Sequence, residues 1–153
     1  MSSPTESVAS VIERAEARAR AGGLEYRGAL TPSEAFALVE AGAAQLVDVR
    51  STLEWEYVGH PPQATLIEWK RIPGGELNTG FIKQLSHLGT RDENYLFMCR
   101  SGARSHAAAV AAAQHGYPSA FNVLEGFEGD LDEHKQRGNR GGWRHAGLPW
   151  EQG

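Results

Sequence analysis

Leu96–Ala109 reads LFMCRSGARSHAAA and holds the only cysteine of the chain, Cys99. An apolar run stops at Met98, a polar loop containing Gly102 follows, and then an alanine-rich pattern begins. Tyr95–Met98 has strand length and composition, and Ser105–His115, stopped by Gly116, has those of a helix. A strand feeding a helix through a tight loop is half of a crossover unit. The stretch therefore predicts an α/β fold with a parallel sheet covered on both faces.

Similar units lie on both sides. Gln45–Val49 is a short apolar run ending at the charged pair Asp48 and Arg50, Ala64–Trp69 reads as a buried strand, and Ala120–Val123 is a last short one. Thr31-Pro32-Ser33-Glu34 opens a helix that stops at Gly42, and Ser51–Val58 forms another, closed by Gly59-His60-Pro61-Pro62. Asn78 can cap a helix running through Leu88. At the N-terminus, Ser3-Pro4-Thr5-Glu6 reads as a helix start, followed by Val8, Val11, Ile12, Ala15 and Ala19 at helical spacing and ended by Gly22-Gly23. This first helix is expected to pack as an appendage. Asp130–Gly142, charged and glycine-containing, reads as a surface excursion, and Gly126–Asp130 as a turn, because it lacks the Lys-Ser/Thr ending of a phosphate loop.

The chain has 153 residues and a formal net charge of −4. That length suits one well-buried domain, and the charge argues against a general nucleic-acid binder. No apolar stretch approaches the roughly 20 residues of a membrane span. Glu6, Glu13 and Glu16 argue against a transit peptide. One cysteine makes no internal disulfide, which fits a reducing cytoplasm. It also excludes Cys-rich zinc sites, and the six histidines show no close ligand spacing, so no metal is expected.

In an open parallel sheet, ligands bind beyond the carboxyl ends of the strands, which is where Cys99 is expected. The amides of Arg100, Ser101, Gly102, Ala103 and Arg104 precede or open the next helix. They lack intrahelical partners and can hold an anion. Gly102 permits the curl of that loop. The field there, with Arg100 and Arg104 nearby, favours the thiolate, which is the nucleophilic form. The alternative is a buried strand-end filler, the usual fate of a free cysteine.

Cys99-Arg100-Ser101-Gly102-Ala103-Arg104-Ser105 resembles the active-site loop of rhodanese-like sulfurtransferases. Leu46-Val47-Asp48-Val49-Arg50 with Glu54 is similar to that family's first-strand signature, and Gly59-His60-Pro61 to its following turn. Asn122-Val123-Leu124-Glu125-Gly126 resembles its last strand and turn. Gly142-Trp143 and Ala146-Gly147-Leu148-Pro149 resemble a common C-terminus. The resemblance spans roughly Leu24 to Trp150. It implies a central parallel five-stranded sheet with helices on both faces, in a rhodanese-like domain over 24–153 preceded by a helical extension over 1–23.

The resemblance also implies chemistry. Cys99 would take sulfane sulfur from a thiosulfate-type donor and pass it, as a persulfide, to cyanide or a thiol, without cofactor or metal. The partners would be a small-molecule donor and acceptor, or a sulfur-relay protein that loads the loop as a carrier. Related folds that dephosphorylate substrates or reduce arsenate use Cys-x5-Arg. Cys99 and Arg104 are separated by four residues, and a tighter ring suits one sulfur better than a phosphoryl group. No aspartate lies in the loop to protonate a leaving group.

Arg100 is expected to project outward to the donor or acceptor. Arg104 is expected to shape the loop and supply charge, or else to satisfy nearby carbonyls. Asp48 and Arg50 are read as an ion pair or loop buttress, with Glu54 able to pair with Arg50. Ser101 and Ser105 can hydrogen-bond the sulfur, although Ser105 can instead cap its helix. Glu68 and Trp69 can line the pocket mouth, with packing the safer expectation for Trp69.

Overall fold

The apolar run Tyr95–Met98 is buried at every position and forms the centre of the sheet. The computed structural model describes residues 7–71 and 74–153. In chain order the elements are α1 (Val8–Gly22), β1 (Gly28–Leu30), α2 (Pro32–Glu40), β2 (Gln45–Asp48), α3 (Thr52–Tyr57), β3 (Thr65–Leu66), α4 (Phe81–Leu85), β4 (Tyr95–Met98), α5 (Ala103–Gln114) and β5 (Ala120–Val123). The strands lie in the order β1-β5-β4-β2-β3, all parallel. This is the α/β architecture with a five-stranded parallel sheet that the sequence implies. None of the helices is long and apolar enough to cross a membrane among the described residues.

Side-chain alternation along the strands divides the core into two layers. Val47, Tyr95, Phe97, Cys99 and Ala120 face one side, where Ala108, Ala109 and Ala112 of α5 and Phe81 and Leu85 of α4 cover them. Leu30, Leu46, Leu96, Met98 and Phe121 face the other, under Val11 and Ala15 of α1, Ala35 and Leu38 of α2, and Trp143. Cys99 thus extends the buried face of β4 at the carboxyl end of the sheet.

α1 lies against β1. Val11, Ala15 and Ala19 are buried, and a Cβ on Gly28 would come within 2.9 Å of Ala15. Arg18 donates to the Ala29 carbonyl and pairs with Glu34 of α2. The helix is capped by Ser7 and closed by Gly23 in the left-handed region, as the Gly22-Gly23 pair predicts. The start expected at Ser3–Glu6 lies outside the described residues.

Two elements form as their local signals predict. Thr31 and Glu34 make a reciprocal capping box on α2, and Ser51 and Glu54 make one on α3. Others differ. Of Ala64–Trp69 only Ile67 is buried, and β3 is a two-residue edge strand paired on one side. The helix expected from Asn78 through Leu88 is the short α4, and Asn78 instead accepts from the Gly80 amide one turn earlier. α5 begins at Ala103 rather than Ser105, because Gly102 at φ 115° takes the cap position. The fifth strand is β1, three buried residues paired with β5.

Candidate active site

Cys99 follows the last residue of β4 and is 1% exposed. The Gly102 amide donates to its sulfur at 3.1 Å, so the loop curls back over the residue that opens it. Gly102 sits at φ 115°, a conformation that strains residues bearing a Cβ. A second turn holds the loop from behind. Phe127 N–H donates to the Cys99 carbonyl at 2.8 Å, and the Glu128 and Gly129 amides donate to the Arg100 carbonyl at 2.9 and 3.2 Å. Gly126 makes that approach possible, since a Cβ there would lie 2.6 Å from the Arg100 carbonyl carbon. The Gly126–Asp130 segment is therefore a turn, as its composition predicts, and its work is to brace the loop.

Ser105 lies inside α5, fully buried, and does not cap it. Its Oγ is 3.3 Å from the Cys99 sulfur, 3.1 Å from the Gly102 carbonyl and 2.6 Å from Asn122 Oδ1. Asn122 Nδ2 donates to the same Gly102 carbonyl at 3.3 Å, which orients the amide. The two side chains thus tie β5 to the loop.

Arg104 forms a two-point ion pair with Glu54, Nη1–Oε1 2.7 Å and Nη2–Oε2 2.9 Å. Burial pushes the Glu54 carboxyl up, but the hydrogen bonds and charge of Arg104, with the Ser51 amide and hydroxyl, bring it down to about 2. In return, donating to the Glu54 carboxylate raises the pKa of Arg104. The pairing expected between Glu54 and Arg50 does not form. Arg50 turns inward to Asp48, both side chains fully buried, and donates to the Gly59 carbonyl at 2.7 Å. Its guanidinium also lies 4.4 Å from the centre of the Phe127 ring. Arg50 thus joins Asp48 at the end of β2 to the Gly59 carbonyl and to the Phe127 ring of the turn behind the loop.

Beside the loop opens a cleft of about 680 Å³. Its cationic lining is Lys70, Arg71, Arg100, Arg104, Lys135 and Arg137, with Glu54 and Glu128 as the acidic members. Arg100 is exposed and lines this space. Glu68 and Trp69 are engaged elsewhere: Glu68 accepts from the Thr52 amide at 2.9 Å, and Trp69 packs edge-on against Phe81. The lining comes from their successors, Lys70 and Arg71. Ser101 is half-buried within the loop.

Sequence reading missed six contributors, among them Lys70 and Arg71 of the cleft lining. Asn122 had a signal, a polar residue inside the apolar strand Ala120–Val123, whereas Gly126 gave no sign of how closely it approaches the loop. Lys135 and Arg137 had none, because only the folded excursion brings them to the cleft.

A family model described as "Rhodanese-like domain" matches residues 31–133. The crystal structure of Rv0390 from M. tuberculosis is 41% identical, covering 84% of this chain and 99% of that one with a TM-score of 0.75. The uncharacterized protein RP600 of Rickettsia prowazekii is 35% identical over 112 residues, 71% of this chain and 83% of that protein. The thiosulfate sulfurtransferase GlpE of Haemophilus influenzae is 28% identical over 100 residues, 65% of this chain and 84% of that protein.

Proposed function

Since the chain belongs to the rhodanese-like family, we propose that it is a sulfurtransferase in which Cys99 carries sulfur as a persulfide between a thiosulfate-type donor and a thiophilic acceptor. The observation that carries the reading is the Gly102 amide on the Cys99 sulfur inside a six-residue loop. Likeness to a thiosulfate sulfurtransferase supports it.

In the first half-reaction the Cys99 thiolate attacks the outer sulfur of thiosulfate. The new S–S bond forms as the old one breaks, and sulfite leaves with the bonding pair, giving Cys99–S–S⁻. In the second, an acceptor thiolate attacks the terminal sulfur, and Cys99 departs as thiolate while the acceptor becomes a persulfide. Arg100 and the loop amides hold the anionic donor in line and stabilise the charge on the terminal sulfur. Arg104, bound at two points by Glu54, sets the shape of the loop. The reaction needs a reduced thiol, which a reducing cytoplasm maintains.

Mass spectrometry after exposure to thiosulfate should show one added sulfur, absent in Cys99→Ser. Wild-type protein that gains no sulfur from any sulfane donor would overturn the assignment. Loading only by a partner desulfurase would make the protein a relay carrier, and aryl phosphate turnover dependent on Cys99 would make it a phosphatase.

A further inference from the structure

The cleft holds more positive charge than a small sulfur dianion requires. Six of the chain's fifteen lysines and arginines line it, although the formal net charge is −4. Many arginines elsewhere are matched: Arg18 with Glu34, Arg27 with Glu16, Arg50 with Asp48, and Arg140 with Glu133. Arg104 is, among the described residues, the only cation of the cleft with an acidic partner. Among the described residues Lys70, Arg71, Arg100 and Lys135 make no ion pair, and Arg137 donates only to the Gly129 carbonyl. Glu128, the other acid of the lining, is 3.9 Å from Arg144.

The cations come from three separate segments: the chain after β3, the loop with the start of α5, and the 130–142 excursion. That excursion is a built structure. Asp132 Oδ1 accepts from the amides of His134 and Gln136, Asn139 donates to its Oδ2, and Lys135 is held at φ 62°. A volume of about 680 Å³ is that of a site for a molecule of cofactor size. Val58 and Leu131 add apolar surface to it. Cations spread around a wide rim suit several separated anionic groups, and arginine matches phosphate oxygens at two points.

We propose that the cleft binds the sulfur acceptor, and that this acceptor is a small thiol bearing several phosphate groups. The proposal rests on the sulfur-transfer reading for what happens after binding. The acceptor's phosphates lie among Lys70, Arg71, Lys135 and Arg137, while its thiolate takes the terminal sulfur from Cys99 and leaves Cys99 as thiolate.

Coenzyme A and pantetheine share one thiol arm and differ in phosphates, so they serve as matched probes. Protein loaded with sulfur should discharge to coenzyme A at least about tenfold faster than to pantetheine at low salt. The advantage should collapse near ~0.5 M salt, where exposed charges are screened. In Lys135→Gln/Arg137→Gln the ratio of the two rates should fall several-fold, each variant serving as its own reference. Equal rates for the two thiols on loaded wild-type protein would overturn the cleft assignment and leave sulfur transfer standing. Calorimetry with unloaded Cys99→Ser protein tests the site without the reaction. Binding of coenzyme A but not pantetheine supports the assignment even if no donor loads Cys99, a failure that would fall on the sulfur-transfer reading alone; no binding of coenzyme A overturns it. Faster discharge to a cysteine-tetraglutamate peptide than to coenzyme A would assign the cleft to an acidic protein segment and also overturn the proposal.

Discussion

Arg104 and Glu54 meet in a two-point ion pair across fifty residues of sequence, joining the start of α5 to α3 at the edge of the cleft. The same carboxylate oxygen that receives Arg104 also closes the capping box with Ser51, so one side chain fixes a helix start and a loop together. Four donor groups converge on a carboxylate whose side chain is only 15% exposed.

Glu54→Gln is expected to cost about 1–3 kcal/mol at neutral pH, the penalty for leaving a half-buried guanidinium without its charged acceptor. The pH dependence follows from the direction of the shift. The folded-state value is depressed to about 2 from an ordinary 4.5. The contribution is therefore complete above about 4.5 and is lost as pH falls through about 2. Glu34, held at about 2 by Arg18, Arg14 and the Thr31 amide against burial, behaves alike. Denaturant unfolding across that window should give a shallower acid slope for Glu54→Gln than for wild type. Parallel slopes would show that the pair does not couple to folding.

Gly126 and Gly23 share a φ of 63° but not a neighbourhood. At Gly23 a Cβ would meet nothing within 4 Å, so Gly23→Ala is expected to cost about 1 kcal/mol, the backbone penalty alone. At Gly126 the Cβ enters the backbone of Cys99 and Arg100. Gly126→Ala is expected to cost more than about 2 kcal/mol, because the turn must withdraw from the loop it holds. It should also slow persulfide formation. Unfolding free energies paired with a sulfur-loading rate separate the two variants, and equal effects at both glycines would remove the turn from the site.

Locality decided what the sequence disclosed. The box Thr31–Glu34 closes within three residues and formed where the pattern predicted, and the helix expected over 51–58 formed behind a second local box, Ser51–Glu54. β1 escaped because three residues carry no periodicity and exist as a strand only by pairing with β5, more than ninety residues on. The partner of Glu54 was misread for the same reason. Arg50 is four residues away along the chain, yet it points into the core toward Asp48, while Arg104 arrives from another crossover. The loop itself was legible because its amides, glycine and arginines are contiguous.

Asp48 and Arg50 are both fully buried, which makes their pairing a test of burial energetics. Asp48→Asn keeps the shape but leaves the guanidinium charge uncompensated, at an expected cost of about 3–5 kcal/mol. Asp48→Leu with Arg50→Met removes both charges and should recover most of that loss. Chemical denaturation of the singles and the double gives the coupling directly. A double variant no better than Asp48→Asn would mean that the Gly59 and Phe127 contacts of Arg50, rather than its charge, hold the turn.

Ser105 has one hydroxyl proton and faces three acceptors. The shortest contact, 2.6 Å to Asn122 Oδ1, takes it whenever Cys99 carries its own proton, leaving an oxygen lone pair toward the S–H. When the thiol ionises, that arrangement sets a lone pair against negative charge, so the hydroxyl must turn from Asn122 to the sulfur. Asn122 therefore competes with Cys99 for one proton. Asn122→Asp strengthens the competitor and adds negative charge, and should slow Cys99 alkylation by iodoacetamide at neutral pH about tenfold. In a Ser105→Ala background the competition no longer exists, and the effect of Asn122→Asp should shrink to the direct influence of its charge. A full tenfold effect persisting without the hydroxyl would assign Asn122 a purely electrostatic influence and dismiss the switch.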